Sequence, residues 1–575
     1  MLNIRINLLI CHVSKGEKML YFQKQIKKEI QKEYADLEVV FSVSPNVETG
    51  HLSIPCFNFS KVLKRAPKDI ANEISELITQ LFFIEKVEIV GGYINCFIKR
   101  DILCETIITE VLTQKENYGS NQSGHNKTAL VEHTSINPNA SPHVGRARNA
   151  MIGDAIVHLL RFEGYKVEVH YFVNDIGKQI AMLLLGTLKK EKVTFKDLLD
   201  LYIDINNQIK ENPDLEKDVF ALLYQLENGD KKVRKQFRDL VNICIEGQTN
   251  ILGELGIKYD AFDYESDYLF SERLNDILRD LKASGQLEED EEGRFVLNQS
   301  NYDLPMKSPY LVLTRKDKTS LYPLRDIAYT LDKVKKNPDR NIIILGEDQK
   351  LYFKQIAAVL DLLGYQAPEV VHYSFVLLAE GKMATRNGTV VLLEDFMKEA
   401  YLKATAEIQK RRDDVDESSA KAIAYGAVKY SILKTSNDKN VTFDWDNALS
   451  FEGDSGPYLQ YSLARIFSIL RNCEDVNSMD PDFSFLVQKE EIELILELAR
   501  MNEVIGLASK TLSPHVIANY LYGLTQKFSR FYHLHSIINA SSEEIKIARL
   551  NLIMAVKQVI INCFNILGIK YVETM

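Results

Sequence analysis

Residues 129–171 read ALVEHTSINPNASPHVGRARNAMIGDAIVHLLRFEGYKVEVHY, and the fold follows from how this stretch alternates. Residues 129–133 form a short apolar strand, and a loop rich in Pro, Asn and Ser follows it. From about residue 148 to 163, Ile152, Ile156, Leu159 and Leu160 recur at helical spacing, and Gly164 supplies a stop. Val167, Val169 and Tyr171 then alternate with Lys166, Glu168 and His170, as a strand does. Strand, loop, helix and strand in about 45 residues make a βαβ unit, which predicts an α/β fold with a parallel sheet.

The same order returns further along. Residues 341–345 read as a strand, Phe353, Ile356, Ala357 and Leu360 mark a helix ending near Gly364, and residues 370–378 read as a further strand. Between the two units lies a stretch poor in sheet signals, then an acidic turn at residues 288–292. Residues 180–300 are therefore read as a largely helical insertion into a split nucleotide-binding fold spanning 128–395. Upstream, residues 20–32 are lysine-rich with Phe22, Ile26 and Ile30 on one helical face, residues 67–82 form a second helix, and residues 87–98 have strand character around Gly91-Gly92. This small α/β module, residues 1–115, ends in a polar stretch, 116–127, that reads as a linker. Residues 1–18 precede the patterned part and are read as a leader. From 396 to 575 almost every segment is helix-patterned, as in residues 551–567, which predicts a separate helical bundle.

Bulk properties bound the function. A chain of 575 residues is too long for one core. Seventy basic against eighty acidic side chains leave a net charge of −10, which excludes a globally basic nucleic-acid coat but not a local basic face. The seven cysteines, at 11, 56, 96, 104, 244, 473 and 563, include no Cys-x-x-Cys pair. Neither a structural metal nor a disulfide framework is expected, and isolated buried thiols in a reducing, cytoplasmic compartment are. No apolar run reaches about 18 residues, so no membrane span is expected.

Two loops carry the chemistry. In Pro142-His143-Val144-Gly145-Arg146, a glycine opens a helix whose unpaired N–H groups suit an anion, with a histidine and an arginine beside it. In Gly381-Lys382-Met383-Ala384-Thr385-Arg386-Asn387-Gly388-Thr389, glycines bracket a basic loop directly after the last strand. Such a loop is able to close over a triphosphate. Taken singly, a histidine at a turn is more often structural, and a basic turn is more often merely solvated.

Together the two loops resemble the His-Ile-Gly-His and Lys-Met-Ser-Lys-Ser motifs of class I aminoacyl-tRNA synthetases. Longer segments narrow the resemblance to the arginyl-tRNA synthetases. They are VEHTSINPN at 131–139, YPLRDIAY at 322–329, GEDQKL at 346–351, FEGDSGPYLQY at 451–461 and the end of the chain from Leu567 to Met575. The resemblance runs from about Met19 to the last residue. It implies a Rossmann-type class I catalytic domain with a helical insertion, an N-terminal domain that reads the tRNA elbow, and a C-terminal helical domain for the tRNA stem and anticodon. It implies ATP with Mg²⁺, L-arginine and tRNA(Arg) as substrates, in a cytoplasmic monomer with no membrane association. His143, Arg146, Lys382 and Arg386 would be catalytic, with Pro142, Gly145 and Met383 completing the ATP site. Glu132, Asn137, Tyr322, Asp326 and Gln349 would hold arginine, whose guanidinium needs carboxylates and flat acceptors; Asp175 and Gln179 would line the same cleft. Tyr93 and Asn95 would meet the tRNA elbow, and Tyr458, Gln460, Tyr461, Arg465 and Met575 the stem and anticodon side.

Two positions depart from the class pattern. Arg146 stands where the second histidine usually does, and Thr385 where the second lysine does. The lysine that some arginine enzymes carry ahead of the first motif is Ala140 here, which leaves Arg386 as the nearest cation of the loop. These departures motivate a rival, a paralogue that binds tRNA without activating an amino acid. A synthetase for another amino acid such as cysteine lacks its cysteine–histidine zinc cluster here.

Overall fold

The structure, a computed structural model, describes residues 18–42, 47–188, 190, 192–306, 308–378, 381–382, 384–386, 389–410, 416–473 and 481–575. The expected leader thus lies outside the described residues, save Lys18, which opens the first helix. That helix, α1 (Lys18–Glu33), buries Phe22, Ile26 and Ile30 as its periodicity predicts. It packs on a module made of β1 (Leu52–Pro55), α2 (Phe57–Leu63), α3 (Pro67–Thr79), β2 (Ile84–Val90), β3 (Tyr93–Ile98) and α4 (Arg100–Gln114). The strands form an antiparallel sheet in the order β1-β3-β2. Its hairpin turns on Gly91 and Gly92, at φ +59° and +89°, a conformation that glycine adopts without steric cost.

The expected linker is not a tether. Tyr118 is fully buried and its hydroxyl donates to Leu498 O at 3.0 Å. Asn562 Nδ2 donates to Lys115 O and Tyr118 O, and Glu163 accepts from Asn121 N at 2.8 Å and from Ser123 Oγ. Its polar composition serves hydrogen bonds to the protein instead of to water.

The main sheet contains β4 (Thr128–Glu132), β5 (Lys166–Val173), β6 (Ala261–Tyr264), β10 (Arg340–Gly346) and β11 (Glu369–Tyr373), all parallel in the order β11-β10-β4-β5-β6. Helix α5 (Val144–Phe162) joins β4 to β5, and α6 (Lys178–Thr187), α7 (Asp197–Glu211), α8 (Leu215–Glu227) and α9 (Lys231–Glu254) lead to β6. So the insertion also delivers an edge strand, β6, which four residues among long helices do not announce. After it come α10 (Glu272–Ala283) and a small antiparallel sheet of β7 (Leu287–Glu289), β8 (Phe295–Asn298) and β9 (Tyr310–Val312). Then α11 (Tyr322–Lys335) enters β10, and α12 (Lys350–Leu362) joins β10 to β11. The chain thus runs outward from β4 through β5 to β6, then resumes on the other side of β4. The crevice at the carboxyl ends of β4 and β10 is a topological switch point, where ligands bind in such sheets.

The strand expected over 370–378 is two strands in different sheets. β11 stays in the main sheet, while β12 (Val376–Leu378) pairs in parallel with β16 (Val441–Phe443) and antiparallel with β13 (Gly381–Lys382). A hairpin of β14 (Ala384–Arg386) and β15 (Thr389–Val390) follows β13. The rest is helical: α13 (Leu393–Gln409), α14 (Glu417–Leu433), α15 (Trp445–Ala448), α16 (Gly456–Arg471), α17 (Lys489–Ala499), α18 (Met501–Thr511), α19 (Pro514–Leu534) and α20 (Glu543–Leu567). By length and composition α20 could cross a membrane, with a mean hydropathy of 1.6 over its most apolar window, yet 67% of that window is buried in this fold, against α4, α5, α16 and α19. Six of the cysteines are buried and unbridged, and Cys11 lies outside the described residues.

Helix α5 ties the molecule together. One side lies on β4, β5, β10 and β12, and the other is covered by α13, α14, α18, α19 and α20. A helix apolar nearly all round is a core helix, and α5 buries residues on every face, from Val144 to Leu160. One continuous apolar core runs from the N-terminal module through α5 into the bundle; the insertion and the α10–α12 layer have cores of their own.

Candidate active site

The loop between β4 and α5 is laced from below. Thr134 and Ser135 adopt left-handed backbone, at φ +77° and +43°. Asn149 on α5 holds this turn, accepting from Thr134 N at 2.6 Å and donating to Ile344 O of β10 at 2.8 Å. Gln248 of α9, fully buried, donates to Asn137 O at 3.1 Å and Ala140 O at 2.8 Å. The loop reaches α5 four residues earlier than the apolar periodicity indicates, because His143 caps the helix: its Nδ1 accepts from Arg146 N at 3.3 Å. Burial, and then the charge of Arg146, hold the His143 pKa below its ordinary value. A neutral ring that accepts at Nδ1 carries its proton on Nε2, so His143 offers a hydrogen-bond donor instead of a charge.

The two basic motifs meet through their backbones. Leu393 N donates to Pro142 O at 2.7 Å, Val144 N donates to Val391 O at 3.2 Å, and His143 bridges Leu392. Lys382 pairs with Leu377 across β12 and β13, and Arg386 with Thr389 in the next hairpin. Met383 lies outside the described residues.

Beside this junction, in the crevice of the switch point, lies a cavity of about 280 Å³. Glu132, Asn137, Tyr322, Asp326 and Gln349 all line it, with Arg146 at its edge toward α5. So the five residues implied for arginine converge on one space. Three carboxylates face it, and their partners differ. Glu132 pairs with the buried Lys333, whose Nζ also sits 4.3 Å from the Tyr329 ring centroid. Glu265 accepts from Arg325 Nε at 2.7 Å. Asp326 has no ion pair among the described residues; it accepts from the Tyr352 hydroxyl at 2.5 Å. Burial, joined by the negative charges of Glu265 and Glu132, pushes the Asp326 carboxyl up to about 7, against the pull of the Tyr352 hydrogen bond and the charge of Arg325. Asp326 is thus the one of the three carboxylates without an ion pair among the described residues.

Three family models match the chain. They are the catalytic domain of "tRNA synthetases class I (R)" over residues 107–445, the "DALR anticodon binding domain" over 459–575 and the "Arginyl tRNA synthetase N terminal domain" over 21–98. The chain belongs to the arginyl-tRNA synthetase family. It is 35% identical to the arginine–tRNA ligase of Methanocaldococcus jannaschii over 559 residues, covering 95% of this chain and 97% of that protein. It is also 35% identical to that of Clostridium beijerinckii over 566 residues, covering 96% and 98%. Among solved structures, the Thermus thermophilus arginyl-tRNA synthetase superposes with a TM-score of 0.82 at 26% identity over 96% of this chain and 99% of that one. The Plasmodium falciparum enzyme, at 21% identity and a TM-score of 0.78 over 98% and 100%, shares the fold. The activity is that of an arginine–tRNA ligase, an ATP-using class I synthetase.

Within this arginyl-tRNA synthetase frame, some residues singled out in the sequence fall elsewhere than expected. Asp175 is buried away from the cavity, accepting from Ser266 N and Oγ at 2.8 and 2.6 Å; it shapes the turn that carries Glu265. Gln179 accepts from Asn139 Nδ2 at 3.1 Å and likewise supports the site from outside the cavity. Tyr93 is exposed with its ring against Phe57, but Asn95 is only 7% exposed, accepting from Ser53 Oγ at 2.7 Å under the backbone of Gly50. Tyr458, Tyr461 and Arg465 line one open cavity of about 780 Å³ with Trp445, Phe451 and His533. The Arg465 guanidinium lies 4.8 Å from the Tyr461 ring centroid and 4.9 Å from that of Tyr532. Gln460 is not on that surface: it is fully buried, donating to Ala422 O at 2.9 Å and Lys570 O at 2.6 Å. Met575 packs half-buried against the bundle core.

Four residues of the site, Glu265, Lys333, Asn149 and Gln248, are not singled out by the sequence pattern. Glu265 sits in a short 3-10 turn with no periodic signal. Asn149 does carry one: a polar side chain inside an otherwise apolar helix implies a buried partner.

Proposed function

We propose that the cavity binds arginine with its guanidinium on Asp326, aided by Tyr322, Gln349 and Glu265, and its α-ammonium toward Glu132 and Asn137. What supports this polarity is connectivity. Glu132 closes β4 and Asn137 stands in the loop that runs from it into the first motif, whereas Asp326 lies on α11 beside α12. ATP enters as its Mg²⁺ complex, the metal being part of the substrate. A carboxylate oxygen of arginine attacks the α-phosphorus, a new O–P bond forms, the bond to the β-phosphate oxygen breaks, and pyrophosphate leaves. His143 Nε2, Arg146 and the Gly145 N–H at the start of α5 face charge on the phosphates, with Pro142 and Gly145 shaping that turn. Lys382 and Arg386, with Met383 between them, hold the β,γ end. A hydroxyl of the terminal adenosine of tRNA(Arg) then attacks the arginyl carbonyl, and AMP departs. Tyr93 on the N-terminal module, and Tyr458, Tyr461, Arg465 and Met575 on the bundle, serve the tRNA. Residues 1–115, 128–395 and 396–575 act as elbow-binding, catalytic and stem-and-anticodon units of a cytoplasmic monomer.

The observation that carries this reading is the single uncompensated carboxylate, Asp326, in a cavity that opens beside the capped start of α5. Because arginine binds its ionised form, arginine affinity is expected to rise close to tenfold per unit between about pH 5.5 and 6.5 and to level off above about pH 7.5. Calorimetric titration across that range, with proton release read from buffers of differing ionisation enthalpy, checks it; a flat profile overturns the assignment.

Arg386 is assigned the task of the missing second lysine. Arg386→Ala is expected to lower arginine-dependent ATP–pyrophosphate exchange by on the order of 10²-fold, the scale of one charge-assisted contact to the transition state. Exchange within about threefold of the parent would show the loop working without it. Running the assay with and without tRNA also tests whether activation requires tRNA.

A further inference from the structure

Arg148, on the second turn of α5, is fully buried, yet no carboxylate pairs with it among the described residues. Its guanidinium instead reads four backbone carbonyls. Nη1 donates to Ser374 O at 2.6 Å, Lys439 O at 2.8 Å and Phe375 O at 3.3 Å, and Nη2 donates to Ser436 O at 3.0 Å. Burial lowers its pKa to about 10, so it is charged at neutral pH. Carbonyl dipoles offset the cost of burying that charge without neutralising it. A buried cation held by carbonyls, with the Asp438 charge acting only from beyond ion-pair distance, calls for a reason.

The four carbonyls supply one. Ser374 and Phe375 lead directly into β12, whose far end turns into β13 and the basic loop. Ser436 and Lys439 precede β16, the parallel partner of β12. The incoming root of the basic loop is therefore pinned to α5 by the Arg148 side chain. The outgoing root is pinned to the same helix by the backbone bonds of Pro142 and Val144 to Leu393 and Val391. Nη1 alone bridges the two loops, and the flat fork lets Nη2 add the bond to Ser436 O without giving up those contacts.

We propose that Arg148 is a positioning residue for adenylate formation, fixing the basic loop against the first motif so that the β,γ-phosphates are held from both sides. This rests on the reading of residues 381–390 as the pyrophosphate-holding loop. Loss of Arg148 then weakens what touches the outer phosphates and spares what touches arginine and adenosine.

Arg148→Lys and Arg148→Gln are expected to raise the KM for ATP about tenfold or more and to lower kcat for ATP–pyrophosphate exchange by on the order of 10²-fold. The KM for arginine, and the Ki of a sulfamoyl analogue of arginyl-adenylate lacking β,γ-phosphates, should stay within about threefold. Parallel loss of ATP, arginine and analogue binding together with a lower melting temperature would reduce Arg148 to a structural residue and overturn the proposal, as would unchanged ATP parameters. Should the Arg148 variants fail to fold, one glycine inserted between Phe375 and Val376 slackens the same root with Arg148 intact. It is expected to give the same ATP-selective loss, and its failure to do so overturns the proposal. Lys382→Ala separates the two levels. If it leaves the ATP parameters unchanged, the reading of the loop falls; if it weakens ATP while the root variants do not, only the role of Arg148 falls.

Discussion

Asp326→Asn is expected to raise the KM for arginine by a factor between about 30 and several thousand, with the fold intact. Truncating one partner of a buried, hydrogen-bonded charge pair costs about 2–5 kcal/mol, and each 1.4 kcal/mol is about tenfold in affinity. Asparagine keeps the shape of the side chain and an oxygen for the Tyr352 hydroxyl, but it cannot balance a guanidinium. The sign for stability runs the other way. The Asp326 carboxyl sits near 7 in the folded protein, above its ordinary value, so its ionised form opposes folding as pH rises through that range. Removing it leaves the melting temperature at pH 7.5 unchanged or higher. Glu132→Gln lacks that clean separation: it removes the one ion pair that Lys333, 2% exposed, makes among the described residues, and melting should fall along with activity. Steady-state exchange kinetics with thermal melting decide the matter. A KM for Asp326→Asn within threefold of the parent would remove Asp326 from the pocket.

That pocket was legible in the sequence to the extent that its residues end elements with strong periodicity. Glu132 closes the first strand of a βαβ unit, and Asp326 follows Tyr322 by one helical turn, so local pattern suffices to place both beside a loop. It does not suffice for Glu265. Its turn has no period, and its partner Arg325 stands 60 residues further on. Long-range pairing also hid β16, whose three residues gain strand form only by lying beside β12. The strand expected over 370–378 breaks at Ser374 and Phe375, where the carbonyls turn to Arg148; a sequence shows apolar residues on both sides of that break and nothing of the arginine. Asn95 misled for a similar reason. Strand alternation puts it on the same face as Tyr93, but the backbone of Gly50, 45 positions away, covers it. Local period is readable; what covers a face is not.

The same limit applies to the idea of a separate bundle, and it yields the other large expected effect. A chain ending at Leu449 keeps the main sheet, β16 and the carboxylates and arginines around the cavity, yet it is expected to be unfolded or aggregated and to show no arginine-dependent exchange. Helix α5 is the reason. Truncation removes α18, α19 and α20 from its outer face, along with the Gly568 carbonyl that accepts from Lys429, which in turn pairs with Asp154 of α5. Exposing even four or five aliphatic side chains at about 1.5–3 kcal/mol each forfeits about 6–15 kcal/mol, comparable with the entire stability of an ordinary domain. The N-terminal module loses its seat as well, since Tyr118 and Lys115 are held by Leu498 and Asn562. Circular dichroism, dye binding to exposed apolar surface and exchange activity of the truncated chain test this. A soluble fragment that melts cooperatively and activates arginine would show that α5 needs only the sheet. The expected failure would mean that the helix presenting His143 and Arg146 to the phosphates is built from the same core as the helices that carry Tyr458, Tyr461 and Arg465.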